Sequence, residues 1–115
     1  MKQEKIDVHS GTGVKLDQGK PRWSLLPFRE LSEVVDILTF GAEKYAPNNW
    51  QKVTPPERYI DAGLRHFTSW IKGEKKDKES GKSHLAHAIC CLLFLMWFDN
   101  EGKIGEENGK QKSTT

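Results

Sequence analysis

The stretch Gly73-Glu74-Lys75-Lys76-Asp77-Lys78-Glu79-Ser80-Gly81-Lys82-Ser83-His84-Leu85-Ala86-His87-Ala88 runs straight into Ile89-Cys90-Cys91-Leu92-Leu93-Phe94-Leu95-Met96-Trp97-Phe98. Three carboxylates and two histidines come first, then an almost purely apolar run. The apolar run from Ala88 to Phe98 is too short for a bilayer, which takes ~20 residues. It reads as a helix apolar around its whole circumference, in the middle of a bundle or at an oligomer interface. The polar stretch reads as a loop and first helical turns, starting near Ser80 to Ser83. Ionisable groups beside a buried helix are costly without a purpose, and they are what a metal or phosphate site needs.

Two further helices follow from the pattern upstream. Leu31, Val34, Val35, Leu38 and Ala42 fall on one face of a helix from about Phe28 to Tyr45. Pro47-Asn48-Asn49-Trp50 ends it in a turn. A second helix begins after Thr54-Pro55-Pro56, with Thr54 as its cap, and runs to about Lys72 before Gly73. Its apolar face holds Ile60, Gly63, Leu64, Phe67, Trp70 and Ile71. No strand and no internal repeat is expected. The fold class is therefore all-α, a helical bundle of three main helices with an extended N-terminal arm.

Residues 1–20 are polar and read as an arm. Pro21 to Pro27 is expected to be extended, with Trp23, Leu25 and Leu26 anchoring it to the core. Residues 101–115 are disordered by composition. The folding unit, 21–100, holds roughly 80 residues, a marginal size that oligomerisation commonly remedies. A dimer or tetramer burying part of Ala88 to Phe98 is expected. The net charge of +2 conceals lysines interleaved with acids between Lys72 and Lys82, so there is no strong nucleic-acid signal. The N-terminus lacks the apolar segment of a signal peptide, and adjacent Cys90 and Cys91 fit a reduced, cytoplasmic protein.

Several residues carry candidate chemistry. His84 and His87, three apart, share a helical face, and Cys91 continues that stripe. With Asp77 and Glu79 they could hold a divalent cation. Carboxylates suit magnesium or manganese, whereas imidazoles favour manganese, zinc or iron. A solvated charged loop with two seam histidines is the plain alternative. Asp61 and Arg65 make a natural surface ion pair. His66 lies about 140° around the helix from Asp61, so the two share a site only if it is wide. Glu30 and Glu33 fit either a metal pair or a helix N-terminus. Phe40 to Trp50 mixes Lys44, Asn49, Tyr45 and Trp50, which suits a base and its phosphates, or the simple cover of a helix end. Lys15, Lys20 and Arg22 in the arm could close over an anion.

Taken in order, Lys15-x-Asp17-x-Gly19-Lys20-Pro21, Leu25-Leu26-Pro27, Gly41-Ala42-x-Lys44-Tyr45, Asn49-Trp50, Arg65-His66, Gly73-Glu74-x-x-Asp77-x-Glu79-Ser80-Gly81 and His84-Leu85-Ala86-His87-Ala88 resemble the phage dATP/dGTP diphosphohydrolase N-terminal domain family. That family is similar to MazG-like all-α nucleotide pyrophosphohydrolases. The resemblance covers roughly Gly13 to Phe98. It implies metal-dependent cleavage of a purine deoxynucleoside triphosphate to a monophosphate and pyrophosphate, in the cytoplasm of a phage host. MazG-like enzymes hold magnesium or manganese through Glu-x-x-Glu and Glu-x-x-Asp. Here the third helix offers His84-x-x-His87, and the lone Glu-x-x-Glu is Glu30 to Glu33. The expected metal region is accordingly Asp77, Glu79, His84 and His87, with Asp61 and His66 as further ligands. Asp77, Glu79 and His87 are the catalytic candidates, and Lys20, Lys44, Asn49, Trp50 and Arg65 the substrate-binding ones. Two other classes fit the same residues: a non-catalytic helical interaction module, and a zinc-stabilised structural protein using His84, His87, Cys91 and His66.

Overall fold

A computed structural model describes residues 11–105. The described chain is helical: α1 spans Phe28–Lys44, α2 Arg58–Ile71 and α3 His84–Asn100, with short 3-10 turns at Trp23–Leu25 and Asn49–Lys52. Among the described residues there is no strand, only an isolated antiparallel bridge between Lys76 and Ser83. Among the described residues no helix is long and apolar enough to cross a membrane. Residues 1–10 of the expected arm and 106–115 of the expected tail lie outside the described residues.

α3 is central, with α1 and α2 both packed on it. Val34 and Ile37 of α1 meet Ala86 and Cys90 of α3, with Phe94 against the cluster. The Cys90 thiol lies 3.7 Å from the Val34 carbonyl, near enough to donate to it. A second cluster is aromatic: Trp50 stacks on Phe94 at 4.4 Å and meets Trp97 and Phe98 edge-on. α2 comes close to α3 at Gly63. A Cβ there would stand 3.2 Å from that of Cys91.

α1 begins after Pro27, whose carbonyl accepts from the Leu31 N–H. Glu30 in its first turn and Lys44 in its last complement the helix dipole. Its bounds match the expected ones, and its inward face does in part: Val34 is buried and Leu31 and Ala42 are half-buried. Val35 and Leu38 are exposed and Ile37 is buried, because α1 meets a neighbour along one narrow stripe rather than a broad face. The expected anchor is also corrected. Trp23 and Leu25 lie in a 3-10 turn that Leu26 closes, and all three are exposed.

Thr54 does not cap α2. Successive turns through Pro55, Pro56 and Glu57 lead into it, and Glu57 occupies the cap position without a side-chain bond. The other ends are sharply defined. The Ser83 hydroxyl accepts from the Leu85 and Ala86 N–H groups at the start of α3. α2 and α3 both close with a glycine in the left-handed region, Gly73 and Gly102. In each, the following residue donates back to the last turn, Glu74 to Ser69 and Lys103 to Phe98.

Candidate functional site

The closing turn of α2 decides what comes next. Gly73 turns the chain so that Glu74 points back along the helix pair, and its Oε1 lies 3.0 Å from His84 Nε2. The loop to α3 is pinned by backbone bonds from Asp77 to Lys82, Gly81 to Asp77 and His84 to Lys75. Within it the Asp77 carboxylate folds inward, accepting from the Ser80 N–H at 2.9 Å and the Ser80 hydroxyl at 3.1 Å. The same hydroxyl lies 2.7 Å from His87 Nε2, and Asp77 Oδ2 lies 3.8 Å from that nitrogen.

α2 contributes His66. Its Nδ1 faces Nδ1 of His84 at 2.8 Å, and its ring stacks on His87 at 4.4 Å, nearly parallel. One ligand atom each from His66, Asp77 and His84 lies within 4.8 Å of the others. His84 is buried, while His66, Asp77 and His87 are half-buried. The donor set of two imidazoles and one carboxylate fits a divalent transition metal. The outer support fits as well. With Glu74 accepting from Nε2–H, His84 keeps its Nδ1 lone pair turned to His66, the carboxylate–histidine pairing usual behind metal ligands.

Burial, followed by the neighbouring His87 and His84, pushes the His66 imidazole down to about 4. Burial also lowers His87, with His84 adding to the effect and Asp77 opposing it. Burial works against the charge on Asp77, but the two Ser80 hydrogen bonds and the nearby His87 and His66 prevail and lower it. His66 and His87 are therefore held neutral beside an ionised Asp77 at neutral pH, the protonation state that metal ligation requires.

A cleft of about 850 Å³ opens beside the cluster. It is lined by His87, Glu79, Lys44, Tyr45, Asn48, Asn49 and Trp50 among others. Lys44 and Glu79 form an ion pair across its polar side. Hydrogen bonding to Glu79, then to Tyr45, raises the Lys44 amine.

Of the expected metal and catalytic residues, the structure brings Asp77, His84, His87 and His66 together. Glu79 is not with them. Two residues beyond Asp77, it turns outward to Lys44. Asp61 is exposed and lines a separate polar hollow with Arg65, Thr68 and Lys72, so α2 does present Asp61 and His66 on different sides. Asp61 and Arg65 form no ion pair within 4 Å, and Arg65 is not on the large cleft. Lys20 is exposed in the arm, where its N–H donates to the Asp17 carbonyl. Lys44 and Asn49 line the cleft. Trp50 does too, but its ring is committed to Phe94. Glu30 pairs with Arg29 on the surface. Cys91 is buried against Gly63 and forms no ligand group with the histidines among the described residues, so the four-residue zinc set is not assembled. Glu74 and Ser80 had not been singled out. The glycine after α2 is the signal that fixes Glu74, whereas nothing in the sequence distinguishes Ser80.

An all-α unit with a histidine–carboxylate cluster beside a polar and aromatic cleft is the class this geometry defines. The chain belongs to the dATP/dGTP diphosphohydrolase N-terminal family, whose model matches residues 10–108. It is 42% identical over 89 residues to the dATP/dGTP diphosphohydrolase of Salmonella phage PMBT28. That match covers 77% of this chain and 30% of the relative, so the chain spans less than a third of that protein's length. No solved structure matches it.

Proposed function

We propose that this chain is a divalent-cation-dependent nucleoside triphosphate pyrophosphohydrolase. It would convert a purine deoxynucleoside triphosphate, dATP or dGTP, to the monophosphate and pyrophosphate. The observation that carries this is the convergence of His66, Asp77 and His84 behind His87, which lines the cleft holding Lys44, Tyr45 and the two asparagines. The family and the relative's name supply the substrate class.

His66, Asp77 and His84 would hold the cation, and two imidazole donors favour manganese over magnesium. Bound there, a divalent ion would supply Lewis-acid neutralisation of phosphoryl oxygens. The protein's own groups do the rest. Glu74 fixes the His84 ring. The Ser80 hydroxyl connects His87 Nε2 with Asp77 Oδ2, so a proton taken at His87 has a path to a carboxylate. Lys44 leaves Glu79 to meet the phosphates. Tyr45, exposed on the cleft wall, offers the face on which a base stacks, and Asn48 and Asn49 offer amides to its edge. Trp50 backs the wall from the aromatic core.

The test is a screen of the common deoxynucleoside and nucleoside triphosphates with manganese and with magnesium, reading pyrophosphate. Release from dATP or dGTP, fastest with manganese, is expected. Absence of release from every triphosphate with either ion, by folded protein, overturns the activity.

A further inference from the structure

We infer that the Tyr59 hydroxyl selects purines by donating to N7 of the base in the large cleft, a step that rests on the nucleotide reading above. Tyr59, Gly63 and His66 fall at i, i+4 and i+7 on one face of α2. That face is turned to α3, since Gly63 lies against Cys91 and His66 meets His84. The helix rise puts Tyr59 about 10 Å along the axis from His66. A purine nucleotide spans a similar length from its α-phosphate to the edge of its base. With phosphates at the histidine cluster, the base comes level with Tyr59. The Tyr59 ring lines the large cleft together with Tyr45, Asn48 and Asn49. It is held there against Phe94 at 5.0 Å and Phe98 at 6.4 Å.

The ring is fixed, but its hydroxyl has no hydrogen-bond partner among the described residues. A phenol in an aromatic wall usually finds one, and leaving it without one is costly. Burial, then the neighbouring Cys91, raises the phenol above its usual range, so at neutral pH it is a protonated donor. Donor chemistry decides the partner. The proposed substrates pair adenine with guanine, which are opposites at position 6: adenine presents an amino donor, guanine a carbonyl acceptor. N7 beside it accepts in both bases, and pyrimidines have no such nitrogen. A fixed donor therefore suits N7. An asparagine amide, donor at one end and acceptor at the other, turns to suit either 6-substituent.

Equilibrium binding of dATP and dGTP, each against its 7-deaza analogue, tests this. Calcium serves as the cation, and pyrophosphate release with manganese is followed separately. The wild-type chain should bind each analogue about tenfold more weakly than its parent, the worth of one hydrogen bond. Tyr59→Phe keeps the ring in its aromatic wall and removes the hydroxyl. It should bind dATP and dGTP about tenfold more weakly than wild type and no longer distinguish them from the analogues. Its binding of dCTP and dTTP should be unchanged. Tyr45→Phe, which keeps the stacking face, should retain the N7 discrimination. A wild-type chain that binds parent and analogue equally, or binds neither, overturns the inference. So does a Tyr59→Phe variant that still discriminates, or that loses purines and pyrimidines alike. Discrimination that disappears in Tyr59→Phe, with no pyrophosphate released by the wild type, supports this inference and overturns only the activity.

Discussion

The two ends of the α2–α3 pair are built on opposite terms. At the loop end, Glu74, Asp77, Ser80, His84 and His87 each have a named polar partner within a pinned turn. Along the helices' outer face, Ile60, Leu64, Phe67, Leu92 and Met96 keep roughly half of their surface in water among the described residues. One end is fixed by directional bonds, and the other rests on non-directional packing that leaves much of its apolar surface in water. Substitutions at the loop end should therefore change chemistry with little change in folding, whereas those in the apolar layers should do the reverse.

The largest expected effect is at Asp77. Asp77→Asn keeps shape and removes the charge between His66 and His87. Turnover should fall ~10²–10³-fold, while the urea midpoint moves by less than about 1 kcal/mol equivalent. A folded variant with full turnover and unchanged manganese affinity would falsify the site.

In the apolar layers, Ile37→Ala removes a buried side chain from the α1–α3 contact and should cost ~2–5 kcal/mol in urea unfolding. The turnover of the protein that stays folded should hardly change. Leu92→Ala makes the contrast sharper. Its exposure in one chain predicts a loss below about 1 kcal/mol at low protein concentration, and a larger loss, dependent on concentration, if a second copy covers it.

Acid should separate the two ends further. In metal-free buffer, folded His66 takes its proton only near pH 4, because of burial and then His87 and His84. The unfolded chain takes it near 6.5. Between those values the unfolded state binds more protons, so stability rises with pH across that window and levels off above it. His87 is shifted in the same direction. A melting temperature that is flat from pH 4 to 6.5 would place these rings in water.

The smallest effect is expected at Glu79. Its pair with Lys44 is exposed, so Glu79→Gln should leave the urea midpoint almost unchanged. Manganese affinity should be unchanged and KM should fall severalfold, since Lys44 no longer has to leave a carboxylate. A loss of metal affinity equal to that of Asp77→Asn would put Glu79 back among the ligands.

Much of the fold was legible in the sequence, because helical periodicity and punctuation are local. Pro27 and Pro47 bracket α1, Gly73 ends α2 and Ser83 starts α3. The inward face of α1 was legible only at Val34, because Val35, Ile37 and Leu38 are equally apolar and only the position of α3 selects among them. The site was half legible. His84 and His87 share a face by spacing alone. Asp77 and Glu79 look alike in sequence, and the bridge between Lys76 and Ser83 turns one inward and leaves the other to Lys44. His66 stood among the secondary candidates because its role depends on the close approach of α2 to α3 at Gly63, a long-range fact.

The loop joining α2 to α3 carries Lys72, Lys75, Lys76, Lys78 and Lys82, five potential trypsin sites within eleven residues. A protease must draw extended, unpaired backbone into its own cleft, and here the backbone is tied from Asp77 to Lys82 and from His84 to Lys75. Cutting therefore has to wait for local opening, and its rate measures how often the loop lets go. The lysines act as a built-in gauge of closure. A timed digest, read by mass at these five bonds, would report how tightly the loop is shut as metal or nucleotide is added, without any turnover assay.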